Sequence, residues 1–181
     1  MVNSPNILAF EKVADPRKVC MLVPYEGNLI FVVRQHKDGR VSVEPPGGKR
    51  DPLVYGGRIE SPEEALVREA HEELGIKIRP LDRLGVEAHP FTGAPVGYYY
   101  CEHVSGVPYN IETRQHLQVI EVSAGRTSMD DFRRACSMRR VAGVPVEFRL
   151  PENVYESYLK RVGDATIPTF PLPRPADFIP K

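Results

Sequence analysis

The chain of 181 residues carries no net charge, because its 24 Lys and Arg are matched by 24 Asp and Glu. A balanced composition gives no broad attraction to nucleic acid or to a membrane surface, so binding has to come from a local site. Cysteine is scarce: Cys20, Cys101 and Cys136 are dispersed and lack metal-type spacing. That argues against a disulfide framework and for buried thiols in a reducing cytoplasm. Long apolar runs are missing too. No stretch approaches the length that crosses a bilayer, and no N-terminal segment resembles a signal peptide. The expectation is a cytoplasmic protein with one main domain, large enough to build a full core without staples.

The chain does hold one strongly punctuated helix. Ser61, Pro62 and Glu64 form a helix start: Ser as N-cap, Pro where a missing N–H costs nothing, and Glu placed to close a capping box. Gly75 is the stop, since it can take the left-handed conformation that ends a helix. On that helix Glu69, Glu72 and Glu73 fall within an arc of roughly 100°, beside an apolar arc of Leu66, Val67, Ala70 and Leu74. Carboxylates so spaced repel by a few tenths of a kcal/mol per pair. A divalent cation such as Mg²⁺, which takes oxygen ligands, would offset the repulsion. The plainer alternative is a solvated acidic face with Arg68 and Lys77 nearby.

Two flanking features favour the metal. Glu60 sits just before the cap, and Pro46-Gly47-Gly48-Lys49 lies upstream as a glycine turn that lets backbone approach a ligand closely. Together these residues resemble the signature of the Nudix hydrolases. Glu60 takes the first Glu position, Arg68 and Glu69 the Arg-Glu pair, Glu72 and Glu73 the paired glutamates, and Gly75-Ile76 the end. The family places five residues between its Gly and its first Glu, whereas eleven separate Gly48 from Glu60 here. Either the loop 50–59 carries a six-residue insertion, which the run Glu44 to Lys49 before it favours, or Gly56-Gly57 serves the turn in another way. Within the loop, Leu53, Val54 and Tyr55 form an apolar tip between turn formers, which either packs on a neighbour or closes over substrate as a flap.

The resemblance implies an α/β fold in which a mixed β-sheet is sandwiched between α-helices. It also implies metal-dependent cleavage of a nucleoside diphosphate linked to another group. Glu69, Glu72, Glu73 and the Gly47 carbonyl would hold Mg²⁺, or Mn²⁺ in its place, with Glu72 and Glu73 also counted as catalytic on a solvated edge. Glu60, Arg68, Gly48 and Gly75 would hold the motif together. The family often draws a further general base from a loop, for which Glu112 is the best-placed residue, its alternative being an ordinary loop glutamate. Arg34, Lys37, Lys49 and Arg50 are candidate phosphate contacts or else solvated charges.

The run Val33 to Lys37, followed by Val43-Glu44-Pro45-Pro46-Gly47, is similar to the ADP-ribose pyrophosphatase branch, which points to ADP-ribose or another nucleotide sugar. A nucleoside triphosphate or dinucleoside polyphosphate hydrolase and a non-catalytic nucleotide sensor are the alternatives. The partner is then a small nucleotide, with no nucleic acid and no membrane. A homodimer is suggested by the habit of that branch and by the N-terminal arm.

The rest of the chain supports this domain. Residues 1–16 read as the arm, with one short strand at Ile7 to Phe10, residues 17–163 as the domain, and the proline-rich 164–181 as a tail. Strands are expected at Val19 to Val23 and Leu29 to Val33 around a turn at Glu26-Gly27-Asn28, then at Leu84 to His89, Tyr98 to Val104 and Gln115 to Val122. Helices are expected after Ser128 and from Pro151 to Val162. Alternation puts Tyr98 and Tyr100 on one face and Tyr99 on the other, as core or as a base-stacking platform.

Overall fold

The computed structural model describes residues 15–52, 57–90, 92–109, 116–123, 128–130, 133–134, 140–141 and 143–162, with the strands 116–123 and 140–141 given by their backbone. The chain enters through β1 (Lys18–Leu22) and β2 (Pro24–Tyr25), turns at Glu26 and Gly27, both with positive φ, and returns along β3 (Asn28–Gln35). Next come β4 (Val41–Glu44), β5 (Gly47–Lys49), helix α1 (Pro62–Leu74), β6 (Lys77–Ala88) and β7 (Pro95–Ser105). After these lie β8 (His116–Ser123), β9 (Arg140–Val141), β10 (Val144–Phe148) and helix α2 (Glu152–Val162).

Two mixed sheets result. One has the order β5-β1-β7-β6, with β1 and β7 parallel and the other pairs antiparallel. The second has the order β2-β3-β4-β10-β9, with β8 on β3. Strands buried on both faces read as continuous apolar runs, and β1 and β3 are of that kind. Val19, Met21, Ile30 and Val32 face α1, where they meet Leu66, Ala70 and Leu74. Cys20, Leu22, Phe31 and Val33 face the other way into a second cluster with Val154, Tyr155 and Tyr158 of α2. The strands are thus sandwiched between helices, as expected. Cys20 and Cys101 are buried free thiols, and burial pushes them up to about 11 and about 12.

The three tyrosines of β7 divide by pleat. Tyr98 belongs to the α2-side core and Tyr99 to the α1-side core, while Tyr100 packs at 6.0 Å on Tyr158. They therefore form no single stacking platform. Helix α1 is capped at both ends by its own sequence: Ser61 accepts from the Glu64 backbone, Glu64 reaches back to the Ser61 N–H, and Gly75 takes φ 68°.

Several elements escape the sequence reading, the two-residue strands β2 and β9 among them. β4 and β10 pair in parallel through Val41 and Val146, although Pro145 interrupts the pattern of β10. The first half of β6 also pairs with β7 despite Pro80, with irregularities in register on either side of it. The arm 1–14, the loop tip 53–56, Glu112, most of the expected helix after Ser128 and the tail 163–181 lie outside the described residues.

Candidate active site

The glycine turn and helix α1 meet because β5 is short and glycine-rich. Gly47 takes φ 145°, and a Cβ there would stand 2.1 Å from the Val19 carbonyl oxygen. A Cβ on Gly48 would stand 2.0 Å from Oε1 of Glu69. Without side chains Gly47 packs directly on β1 and Gly48 on the Glu69 carboxylate of α1, and the Gly47 N–H donates to Oε2 of Glu73 at 2.8 Å. Two carboxylates one helical turn apart are thereby brought to one backbone turn.

They differ in environment from what the helix arc suggested. Glu73 is 1% exposed and Glu69 8%, whereas the Glu72 side chain is 57% exposed. The edge expected to be solvated is therefore buried at Glu69 and Glu73 and exposed only at Glu72. Burial, with Glu73 close by, raises Glu69 to about 7. Among the described residues no three His, Cys, Asp or Glu side chains converge as metal ligands do; the carboxylates turn onto arginines instead.

Arg68 is the first of these. It donates to both oxygens of Glu60 at 2.9 Å, to Glu69 at 2.9 Å, to Glu72 at 2.8 Å and to the Lys49 carbonyl at 2.8 Å. The Arg68 hydrogen bonds are the largest influence on Glu60 and hold its carboxyl below the usual range. Glu60 also accepts from the Asp51 N–H, and its own N–H donates to the Asp51 carbonyl, both at 2.9 Å. With the Pro52 to Ile59 bridge, these contacts pinch the inserted loop at its base. Glu60 thus stays beside the glycine turn despite the long spacing, because Asp51, Pro52, Ile59 and Glu60 close the neck of the loop.

Arg34 is the second. Its Nη2 lies 2.8 Å from Oε1 of Glu73, and its Nε 2.7 Å from Oε1 of Glu44. Burial pushes the Glu44 carboxyl up, but Lys18, Arg34, His36 and Arg149 outweigh it, so Glu44 is held ionised. Arg149 extends the chain of charges: it pairs with Glu147 at 2.7 Å and donates to Nε2 of His36 at 3.1 Å. A guanidinium only donates, so His36 is neutral at that nitrogen. Burial and Arg149 both lower its pKa.

Beyond Glu44 opens a cavity of about 550 Å³. Its walls include Lys18, Glu44, His89, Tyr98, Phe148 and Arg149. A space of that size suits a nucleoside-sized moiety, apolar over much of its wall with a few placed charges.

The sequence-derived candidates divide accordingly. Glu69, Glu73, Gly47 and Gly48 meet at one point, with Glu72 at its exposed flank, and Glu60 and Arg68 brace it. Gly75 ends α1. Arg34 and Arg50 are not free cations: Arg50 donates to the Glu60 carbonyl at 2.6 Å and to Asp15 at 2.5 Å. Lys37 and Lys49 are exposed. Glu44, Arg149 and Lys18 went unremarked in the sequence as charged groups. Glu44 precedes the proline-glycine turn, which is the one local signal that marks it.

Comparison with known proteins agrees with this geometry. No curated protein matches the chain by sequence. Among solved structures, the E. coli ORF135 protein superposes with TM-score 0.53 at 18% identity, over 82% of this chain and 91% of that one. A Nudix hydrolase from Nitrosomonas europaea gives TM-score 0.55 at 19% identity, over 79% and 88%. These likenesses establish the fold. An ADP-ribose pyrophosphatase from Streptococcus suis is more distant, with TM-score 0.43, 18% identity and coverage of 60% and 73%, and carries no argument about substrate. The family model of the NUDIX domain matches residues 15–124, which include the glycine turn, Glu60 and all of α1. The chain belongs to the Nudix family and is a hydrolase of phosphoric anhydrides.

Proposed function

We propose that the protein hydrolyses a nucleoside diphosphate linked to a sugar, with ADP-ribose or a related nucleotide sugar as the substrate class, and depends on Mg²⁺ or Mn²⁺. The observation that carries this reading is the convergence of Glu69 and Glu73 on Gly47 and Gly48, where a side chain on Gly48 would occupy the place of the Glu69 carboxylate. The donor set suits a hard divalent ion: the carboxylates of Glu69, Glu72 and Glu73 and the Gly47 carbonyl are all oxygens. When bound, such an ion neutralises phosphate charge and lowers the pKa of the attacking water.

The chain's own residues supply the rest. Glu73 is oriented by the Gly47 N–H and by Arg34, so its free valence is fixed before any ligand arrives. Arg68 spans Glu69 and Glu72 on the helix edge and Glu60 just before the helix, and so holds three like charges together. The cavity next to Glu44 receives the part of the substrate that is not attacked. The preference for nucleotide sugars rests on the resemblance of residues 33–37 and 43–47 to the ADP-ribose branch.

A panel of ADP-sugars, UDP-sugars, nucleoside triphosphates and dinucleoside polyphosphates, assayed for product with and without Mg²⁺, tests the reading. Fastest turnover of a nucleotide sugar, absent in chelator, is expected. Preference for triphosphates would move the substrate class, and no turnover of any compound would remove the reading. Light scattering on the same preparation tests the homodimer that we propose with it.

A further inference from the structure

Strands β1 and β5 run antiparallel with Lys18 directly opposite Lys49. Directly opposed residues of such a pair project from the same face of the sheet. The face is fixed by their neighbours. Val19 packs toward α1, and its partner Gly48 faces Glu69 on that helix, so Lys18 and Lys49 point away from α1. On that side Lys18 and Cys20 line the cavity, and so does Val96, the residue of β7 that pairs with Lys18. The two lysines thus leave the strand pair from directly opposite positions on the face that carries the cavity, Lys18 at its wall and Lys49 next to the glycine turn.

This arrangement works against the sheet, because like charges opposite one another destabilise a strand pair. Among the described residues neither ammonium has an ion pair or hydrogen bond. Lys18 helps keep Glu44 ionised from beyond ion-pair distance, and Glu44 is already taken at 2.7 Å by Arg34. Lys18 is also half-buried, so water compensates its charge less than that of an exposed lysine. An anion placed between the two would turn their repulsion into shared attraction.

Lys49 directly follows the turn against which Glu69 and Glu73 lie, while Lys18 looks into the cavity. A single anionic group touching both sits at the junction of the two regions. We propose that Lys18 and Lys49 form a phosphate-binding pair that holds the phosphate carrying the moiety seated in the cavity. The substrate class follows the proposed function, but the pair needs no metal to bind a diphosphate. Lys18 then sets affinity for substrate, while the carboxylate edge sets the rate of cleavage.

The test is calorimetric titration of the full chain in EDTA at low ionic strength with inorganic pyrophosphate, ADP and UDP. The wild type is expected to bind at least one of these, and Lys18→Gln or Lys49→Gln to weaken that binding by about tenfold or more, the scale of a lost hydrogen bond to a charged group. Lys18→Arg keeps the charge and is expected to retain most of the affinity, which separates loss of the anion contact from a misfolded cavity. With Mg²⁺ present, Lys18→Gln raises KM and leaves kcat within about threefold. Absence of diphosphate binding by the wild type in EDTA, or unchanged binding by both Gln variants, overturns the pair. A protein that hydrolyses no diphosphate yet loses pyrophosphate or nucleotide binding in these variants keeps the pair and loses the enzymatic reading of the substrate. Ordinary hydrolysis with unchanged variant binding does the reverse.

Discussion

Arg34 Nη2 stands 2.8 Å from Glu73 Oε1, and this contact ties β3, an inner strand of one sheet, to helix α1, which packs on β1, β5 and β6 of the other. The same guanidinium holds Glu44 at 2.7 Å. Both carboxylates are buried, at 1% and 7% exposure. Breaking a buried pair costs more than the pair itself contributes, because an uncompensated charge remains. Arg34→Met is therefore expected to lose about 3 kcal/mol or more of unfolding free energy in urea. A loss below about 1 kcal/mol would place the pair in the weak, surface class.

Gly47 and Gly48 are expected to fail differently when changed to Ala. At Gly47 the added Cβ meets backbone at 2.1 Å and the φ of 145° excludes it, so expression or thermal stability should collapse. At Gly48 the obstacle is the end of the Glu69 side chain at 2.0 Å, which can move. Gly48→Ala should fold with a melting temperature within a few degrees of wild type and lose at least about tenfold in kcat, because Glu69 is displaced. Equal stability losses at both positions would contradict this distinction.

Much of the helix was legible in the sequence because its signals are local. Ser61, Pro62, Glu64 and Gly75 each act within one turn, and the structure uses each of them. The glycine turn was legible for the same reason. Arg34 was not, since nothing near it in sequence announces that Glu44 and Glu73 will be its partners. β10 was hidden by Pro145, and its pairing with β4 depends on a parallel crossover no local pattern specifies. The first half of β6 was hidden by composition: Arg79, Leu81, Asp82 and Arg83 face solvent there and give no apolar alternation. The exposure of the glutamate edge was misjudged because a helical wheel places Glu73 but not the backbone of Gly47 that covers it.

The pH dependence of stability should carry the mark of Glu69. Its folded pKa is raised to about 7, so ionisation disfavours the folded state. Stability in chelator is then highest below the unfolded pKa near 4.5, falls as pH rises through about 7 by an order of 3 kcal/mol, and stays lower above it. Glu44 and Glu60 act with the opposite sign, since their folded pKa values are depressed and their contribution is lost as pH falls below about 4.5. Melting temperatures in EDTA should therefore peak in mildly acidic buffer. Glu69→Gln should flatten the decline between pH 5 and 8, and an unchanged decline in that variant would assign it elsewhere.

The same residue gives the most direct test of metal-dependent diphosphate hydrolysis at the glycine turn. Glu69→Gln removes a buried carboxylate that is costly to ionise, and Gln can still accept from Arg68, so the variant should fold with undiminished stability at neutral pH. Its turnover of the best nucleotide sugar, measured at saturating Mg²⁺ beside the wild type, is predicted to fall by about a hundredfold or more, and the wild type to lose activity in EDTA. Wild-type turnover by a folded Glu69→Gln protein, or turnover by the wild type that persists in EDTA, would contradict the account.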